Sequence, residues 1–243
     1  MSDAIKHECG IALIRLRKPL EYYQEKYGTP LYGLNKLYLL MEKQHNRGQD
    51  GAGVATIKLD PTPGLNFIDR SRSTDKQAVQ KIFAKIQGGY NEAISSDTNC
   101  LNDVAALKER MPFMGELLMG HLRYATFGKD GEENCHPRRR LNNWITRNLV
   151  VAGNFNMTNV DELFDLLVSI GQHPKERSDT MTVLEKIGHF LDKENDRLVQ
   201  LHQQLGYNDR QVTKIMAEKL DVQSILKQSA IDFDGGYALA GMI

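Results

Sequence analysis

The chain has 243 residues, 41% of them hydrophobic and 26% charged, with 31 Lys and Arg set against 31 Asp and Glu. At roughly 100–200 residues per domain this allows one large domain or two small ones with a sizeable core, and the balanced charge disfavours a general binder of nucleic acid or anionic lipid. Apolar runs such as Ile11–Ile14 and Leu117–Met119 are far shorter than the roughly 18–20 residues a bilayer crossing needs, and the opening MSDAIKHE holds no signal-peptide core. A soluble, cytoplasmic protein is expected, with no membrane and no nucleic acid among its partners.

In chain order, Cys9–Leu16 is a short apolar run with little helical period and predicts a buried strand. Leu34, Leu37, Tyr38, Leu40 and Met41 recur at helical spacing, which predicts a helix near 34–45, ended by His45-Asn46-Arg47-Gly48. Gly53–Lys58 reads as a second strand, 61–64 (PTPG) as a loop, and 75–110 as helical surface material around Gly88-Gly89. Leu117–Tyr124 and Asn148–Gly153 read as strands. Asn159, with Glu162 three positions on, can cap one helix; Ser178 or Asp179 can cap another that carries Leu184, Ile187 and Leu191 on one face. Residues 196–231 read as mostly helical and Gly236–Ile243 as an apolar strand. The sequence stops within that pattern, without cap, turn or polar tail, and is expected to be a piece of a longer protein.

Three cysteines, Cys9, Cys100 and Cys135, are odd in number and widely spaced, which does not describe a disulfide framework. Reduced thiols are expected, and free cysteine is by default a small buried hydrophobe. No C-x-x-C occurs, and the adjacent pair Cys135-His136 is poor for a tetrahedral zinc site, so no metal is expected. Neither G-x-G-x-x-G nor G-x-x-x-x-G-K-[ST] is present, which leaves nucleotide binding through such loops unsupported. The triplet Arg138-Arg139-Arg140 near Trp144 reads as a solvated loop, or a flap over a site, in preference to a nucleic-acid contact.

Cys9 carries the candidate chemistry. Cleavage after Glu8 would place an α-amino group, with an ordinary pKa of about 7.7–8.0, on the residue that also bears the thiol. Nucleophile and base would then share one residue. By residue type alone Cys9 is a packed strand residue, and four other islands change that weighting. These are Arg47-Gly48-Gln49-Asp50-Gly51-Ala52-Gly53, Gly120-His121-Leu122-Arg123-Tyr124-Ala125-Thr126, Gly153-Asn154-Phe155-Asn156-Met157-Thr158-Asn159, and Ser178-Asp179-Thr180. Together with Cys9-Gly10-Ile11, in this order, they resemble the class II glutamine amidotransferases. Asn134-Cys135-His136-Pro137 is similar to that family's glutamine-loop N-A-H-P or N-A-Q-P, and Asp234-Gly235-Gly236-Tyr237-Ala238-Leu239 to its E-G-A-Y-A-L strand. R-G-Q-D in place of R-G-Y-D, with a short acidic leader, looks most like the amidophosphoribosyltransferase branch; sugar-phosphate amidotransferases are the other relatives weighed.

The resemblance implies an α+β fold: the four-layer αββα sandwich of two antiparallel sheets of the N-terminal-nucleophile hydrolases. It implies a leader over 1–8 that is removed and an incomplete glutaminase domain over 9–243, with insertion-like helical segments near 72–115 and 195–230. Cys9 would attack the glutamine side-chain amide, while the Asn154 side chain and the Phe155 N–H would hold the oxyanion. Arg123 would receive the substrate α-carboxylate, Thr126 would add a donor, Asp179 would hold the α-ammonium, and Arg47 and Gly48 would form a turn beside the nucleophile. The implied partners are glutamine, a C-terminal synthase domain of the same parent chain, and further copies in a homo-oligomer. No cofactor is expected in this chain, and magnesium would belong to the absent synthase domain.

Each residue keeps its plainer reading: Asn154 as a strand-end turn residue, Arg123 as a strand-end surface charge, Asp179 as a helix N-cap, and Arg47-Gly48 as a helix C-cap and loop. The sequence also departs from the family, with Gly153-Asn154-Phe155 for His-Asn-Gly and one extra residue in His45-Asn46-Arg47-Gly48. A left-handed backbone at the family glycine would strain Phe155. Two other functions follow from these departures: a catalytically silent glutamine-binding domain, and a stand-alone amide hydrolase of the same fold.

Overall fold

A computed structural model describes residues 8–124 and 131–243. It is mixed α+β with two sheets, and the chain divides into two compact units. Unit 1 comprises the residues up to Pro137 together with Ala152–Asn154, and unit 2 the remainder.

Unit 1 contains β1 (Gly10–Arg15), α1 (Leu20–Tyr27), α2 (Tyr32–Lys43), β2 (Gly51–Ile57), β3 (Ile68–Ser73), α3 (Ala78–Ser96), α4 (Val104–Arg110) and β4 (Leu117–Arg123). Its sheet runs β1-β4-β2-β3 and is antiparallel throughout. In a strand, successive side chains leave by opposite faces, so register and one marker per strand orient the whole sheet. A Cβ at Gly120 would meet Met41 and Leu37 of α2, and one at Gly10 would meet Gln44 and Leu122. Leu118, Gly120, Leu122 and Gly10 therefore face the helices. Cys9, His121 and Arg123 alternate with them and face the other way. The helix-side core is built on Leu34, Leu37, Met41, Val54, Ile82 and Leu118, all buried. Burial of each such side chain stabilises the fold by about 1.5–3 kcal/mol against its exposed state.

Unit 2 contains β5 (Arg138–Arg140), most of β6 (Leu149–Met157), α5 (Val160–Ser169), α6 (Asp179–Gln204), α7 (Asp209–Lys219), α8 (Val222–Ala230) and β7 (Gly235–Met242). Its sheet runs β5-β6-β7, with Arg138 opposite Val151 in the antiparallel β5–β6 pair. Leu149, Val151, Leu184, Ile187 and Leu191 form its buried core, with the Phe155 side chain packed against it.

Several expectations change. Strand β6 does not stop at Gly153 but runs to Met157, so Asn154 and Phe155 lie inside a strand and not in a turn. Among the described residues the non-glycine positive-φ positions are Asp60 and Phe113, so Phe155 carries no left-handed strain. Asn159 precedes α5 without a side-chain cap; its amide instead donates to the Asp232 carbonyl, and its oxygen accepts the Asp234 N–H. Ser178, not Asp179, caps α6, accepting the Met181 N–H. Gly48 does not cap α2, which ends at Lys43 with Gln44 as its C-cap; it is the C-cap of the short 3-10 turn His45–Arg47, in extended backbone, φ −153°.

Arg138–Arg140 is a strand and not a solvated loop. Arg138 pairs with Glu176 at 2.8 Å, and Arg140 pairs with Glu185 at 3.2 Å and with Asp192 at 2.5 Å, so the charges of these two arginines are met within unit 2. The polar strand β3 and the helix α1 are absent from the sequence reading. Helix α1 ends where Gly28, at φ 73°, returns its N–H to the Gln24 carbonyl in a left-handed C-cap. Helices α3 and α4, and α7 and α8, occupy the two segments read as insertion-like.

Candidate active site

Register extended one step from the Gly10–Leu122 pair places Cys9 opposite Arg123, at the end of the β1–β4 ladder and on the face away from the helices. The Cys9 sulfur is held by one main-chain unit: the Tyr124 N–H donates to Sγ at 3.5 Å, and the thiol lies 3.9 Å from the Tyr124 carbonyl. Burial pushes the thiol pKa up, while the Tyr124 main chain and the Arg123 guanidinium pull it back down. Arg123 itself is 9% exposed, which excludes the reading of a surface charge.

The turn 47–50 packs on the same strand end. A Cβ at Gly48 would come within 2.7 Å of the Arg123 carbonyl carbon and oxygen, and the Asp50 N–H donates to that oxygen at 3.0 Å. Only glycine permits this approach, so the R-G-Q-D motif fixes the backbone that carries Arg123. Arg47 lies half-exposed and binds Glu8, the residue preceding the nucleophile, at 2.9 Å.

Two histidines stand on this face and had been given no role. His121, directly opposite Ile11 and Gly53, is 1% exposed, and its Nε2 lies 3.2 Å from the Gly153 carbonyl oxygen. Burial and the nearby Arg123 charge pull its pKa down to about 4, so the ring is neutral at pH 7. His136 lies against it, ring centroids 4.5 Å apart, and its Nδ1 receives the Gly153 N–H at 3.3 Å. Gly53 makes room for this segment, because a Cβ there would fall 1.9 Å from the His136 carbonyl oxygen. Both histidines sit in motifs quoted from the sequence, and the strand alternation that aims His121 to the Cys9 face was readable there.

Of the expected site residues, unit 1 gathers Cys9, Arg123, Arg47 and Gly48 at the β1–β4 strand end; Asn154 belongs to the same unit, exposed and directly after Gly153. Phe155 and Asp179 belong to unit 2, where Asp179 Oδ2 accepts the Met157 N–H at 3.0 Å. Thr126 lies outside the described residues. Cys100 and Cys135 are buried, as expected by default for free cysteines, the latter with its thiol 3.7 Å from the Ser73 carbonyl. A cavity of about 250 Å³ bordered by Gly48, Ala52, Val79 and Leu122 opens on the helix side of the sheet, away from the Cys9 face. No helix among the described residues is long and apolar enough to cross a membrane.

No protein-family model matches the chain. A structure described as the allosteric regulatory enzyme of purine biosynthesis aligns over 96% of the chain and 34% of its own length, with a TM-score of 0.50 and 20% identity. That likeness shows the fold, mixed α+β with two antiparallel sheets and helices. A glutamine–fructose-6-phosphate aminotransferase (isomerizing) from Sulfurisphaera tokodaii is 29% identical over 156 residues, 64% of this chain and 21% of that protein. The chain is class II glutamine amidotransferase-like. A glutamine phosphoribosylpyrophosphate amidotransferase from B. subtilis, complexed with ADP and GMP, aligns over 96% of the chain and 35% of its own length, at 20% identity and TM-score 0.49. This amidotransferase-like chain thus spans about a fifth of the curated relative and a third of the solved structures.

Proposed function

We propose that the chain is a glutaminase: it hydrolyses glutamine to glutamate and ammonia through a γ-glutamyl thioester on Cys9. The observation that carries this reading is the Cys9 sulfur seated on the Tyr124 main chain beside buried Arg123, on the sheet face away from the helices. Removal of residues 1–8 turns the Cys9 nitrogen into a free amine, which takes the thiol proton and returns it to departing ammonia. The thiolate attacks the amide carbon, the C–N bond breaks, and water then cleaves the thioester to glutamate.

The negative charge on the carbonyl oxygen during attack is received by the Asn154 side chain and the Phe155 N–H. Phe155 lies within the strand without the strain that a left-handed conformation would impose. Arg123 pairs with the substrate carboxylate, for which a planar guanidinium provides two parallel charge-assisted bonds. Thr126 adds a donor there, and Asp179 Oδ1 takes the ammonium while Oδ2 stays on Met157.

We further propose that ammonia passes to a synthase domain elsewhere in the parent chain, in a cytoplasmic homo-oligomer. The Arg47-Gly48-Gln49-Asp50 motif supports a phosphoribosyl pyrophosphate acceptor, giving phosphoribosylamine for purine synthesis. The 29% identity to a fructose-6-phosphate aminotransferase supports a sugar-phosphate acceptor as the second reading.

The test is glutamate release by the parent enzyme and its Cys9→Ala and Cys9→Ser variants, with the mature N-terminus determined by intact mass. A loss of at least about a thousandfold in both is expected, the scale on which nucleophile removal acts in hydrolases. Undiminished release from Cys9→Ala, or an active enzyme that retains residues 1–8, overturns the mechanism. Glutamine should protect Cys9 from alkylation; indifference to glutamine would favour an amide hydrolase for another acyl group.

A further inference from the structure

We infer that His121 and His136 form a two-imidazole clamp on the main chain of Gly153 and so position Asn154 for the reaction. The inference rests on the glutaminase reading above for its catalytic consequence, and on the geometry of unit 1 for the clamp itself.

Gly153 has both of its main-chain polar groups held by side chains: its carbonyl lies 3.2 Å from His121 Nε2, and its N–H 3.3 Å from His136 Nδ1. The cause lies in the ladder. Strand β5 pairs Arg138 with Val151, and the same register carried two steps on sets His136 opposite Gly153. Strand β5 spans only Arg138–Arg140, so Gly153 lies past the end of the paired segment, where a strand residue needs another partner. The His136 ring replaces that partner for the N–H, and the His121 ring, stacked beside it at 4.5 Å and tilted 47°, serves the carbonyl.

The contacts fix both tautomers. A ring nitrogen facing a carbonyl must carry hydrogen, so His121 is protonated on Nε2, and its buried Nδ1, which has no hydrogen-bond partner among the described residues, stays bare. A ring nitrogen that receives an N–H must be bare, so His136 carries its proton on Nε2. The next residue is Asn154, whose amide direction is set by the Gly153 plane. Glycine at 153 leaves the main chain without a side chain of its own to steer it, and the two rings supply the constraint from outside.

The experiment uses the parent enzyme with His136→Leu, which removes the acceptor, and His136→Asn, whose Oδ1 sits where Nδ1 was. The readouts are kcat and KM for glutamine, the Cys9 alkylation rate, and hydrogen exchange at the Gly153 amide. We expect His136→Leu to lower kcat by about 10–100-fold, the cost of a small misplacement of a reacting group. KM should stay within about threefold, alkylation should be unchanged, and Gly153 exchange should accelerate about 2–10-fold, as loss of an ordinary hydrogen bond implies. The Asn variant should restore most of both. His121→Gln, which keeps a donor near Nε2, should likewise outperform His121→Leu.

Equal losses in the Leu and Asn variants, a rise in KM alone, or unchanged Gly153 exchange in His136→Leu overturn the clamp. Loss of Gly153 protection in the Leu variant, with rescue by Asn but no glutamine hydrolysis by the parent enzyme, would support the clamp and sink the glutaminase reading.

Discussion

At the scale of single residues, the site is a balance around one sulfur. Burial favours the neutral thiol of Cys9, and the positive charge of Arg123 favours the thiolate, so the two act in opposite directions on the same proton. With residues 1–8 attached, the pH dependence of Cys9 alkylation by iodoacetamide should therefore have its midpoint above that of an ordinary cysteine. Arg123→Met should move it higher still, since desolvation is then opposed by main-chain hydrogen bonds alone. A midpoint that falls, or stays in place, in the variant would show that the guanidinium does not reach the sulfur. Arg123 is also the proposed carboxylate receptor. Arg123→Lys keeps the charge but loses the paired geometry, and a charge-assisted hydrogen bond is worth about 1.5–3 kcal/mol. KM for glutamine should rise at least tenfold with kcat changed far less; an unchanged KM would remove Arg123 from the substrate.

At the scale of elements, glycines show how the same substitution takes opposite signs in two places. Gly88 and Gly89 lie within α3, and a Cβ at either meets nothing within 4 Å. Alanine at each should stabilise by about 0.5–1 kcal/mol through helix propensity and the reduced freedom of the unfolded chain. Gly48→Ala must instead push the Arg123 main chain aside and should destabilise by about 1–3 kcal/mol, with loss of glutaminase activity. Urea titrations of the three variants check the pattern, and a neutral Gly48→Ala would mean that the turn is not packed on the strand. The contrast also marks what the sequence could reveal. Apolar strands such as β2 and β4 are legible because their burial is written in their own residues. Strand β3 (IDRSRS) and strand β5 (RRR) are not, because their charges are satisfied by partners far along the chain. Asp69 Oδ2 accepts the Phe113 N–H at 2.8 Å, and Arg140 meets Asp192, 52 positions on. Helix α1 (LEYYQEKY) hides for another reason: its tyrosines replace the apolar stripe by which a helix is recognised. In the site, Cys9, Arg123 and the R-G-Q-D turn could be picked out by motif. The roles of His121 and His136 could not, since each depends on Gly153, respectively 32 and 17 residues away.

At the scale of the whole molecule, stability should carry an acid limb that originates in one buried ring. His121 titrates near pH 4 in the folded chain, against an ordinary value of 6.5, chiefly because burial disfavours its charged form. Between those two pH values the unfolded chain binds a proton that the folded chain refuses. The folded state thus has its full advantage above the unfolded pKa, near pH 6.5, and loses it progressively as pH falls toward 4. At about 1.4 kcal/mol per pH unit for one proton, the loss is on the order of 3 kcal/mol, a sizeable part of a typical domain stability. His189, which burial also lowers, acts in the same direction, so the single-ring contribution must be taken as a difference. His121→Gln removes the titrating group and retains a donor, while every other group remains. Urea unfolding of the wild type and this variant at pH 7 and pH 4.5 should show the wild type losing the more stability on acidification, by about 2–3 kcal/mol. Parallel losses in the two proteins would mean that the ring takes up its proton without unfolding, and that the packing on the Cys9 face is looser than the Gly153 contacts require.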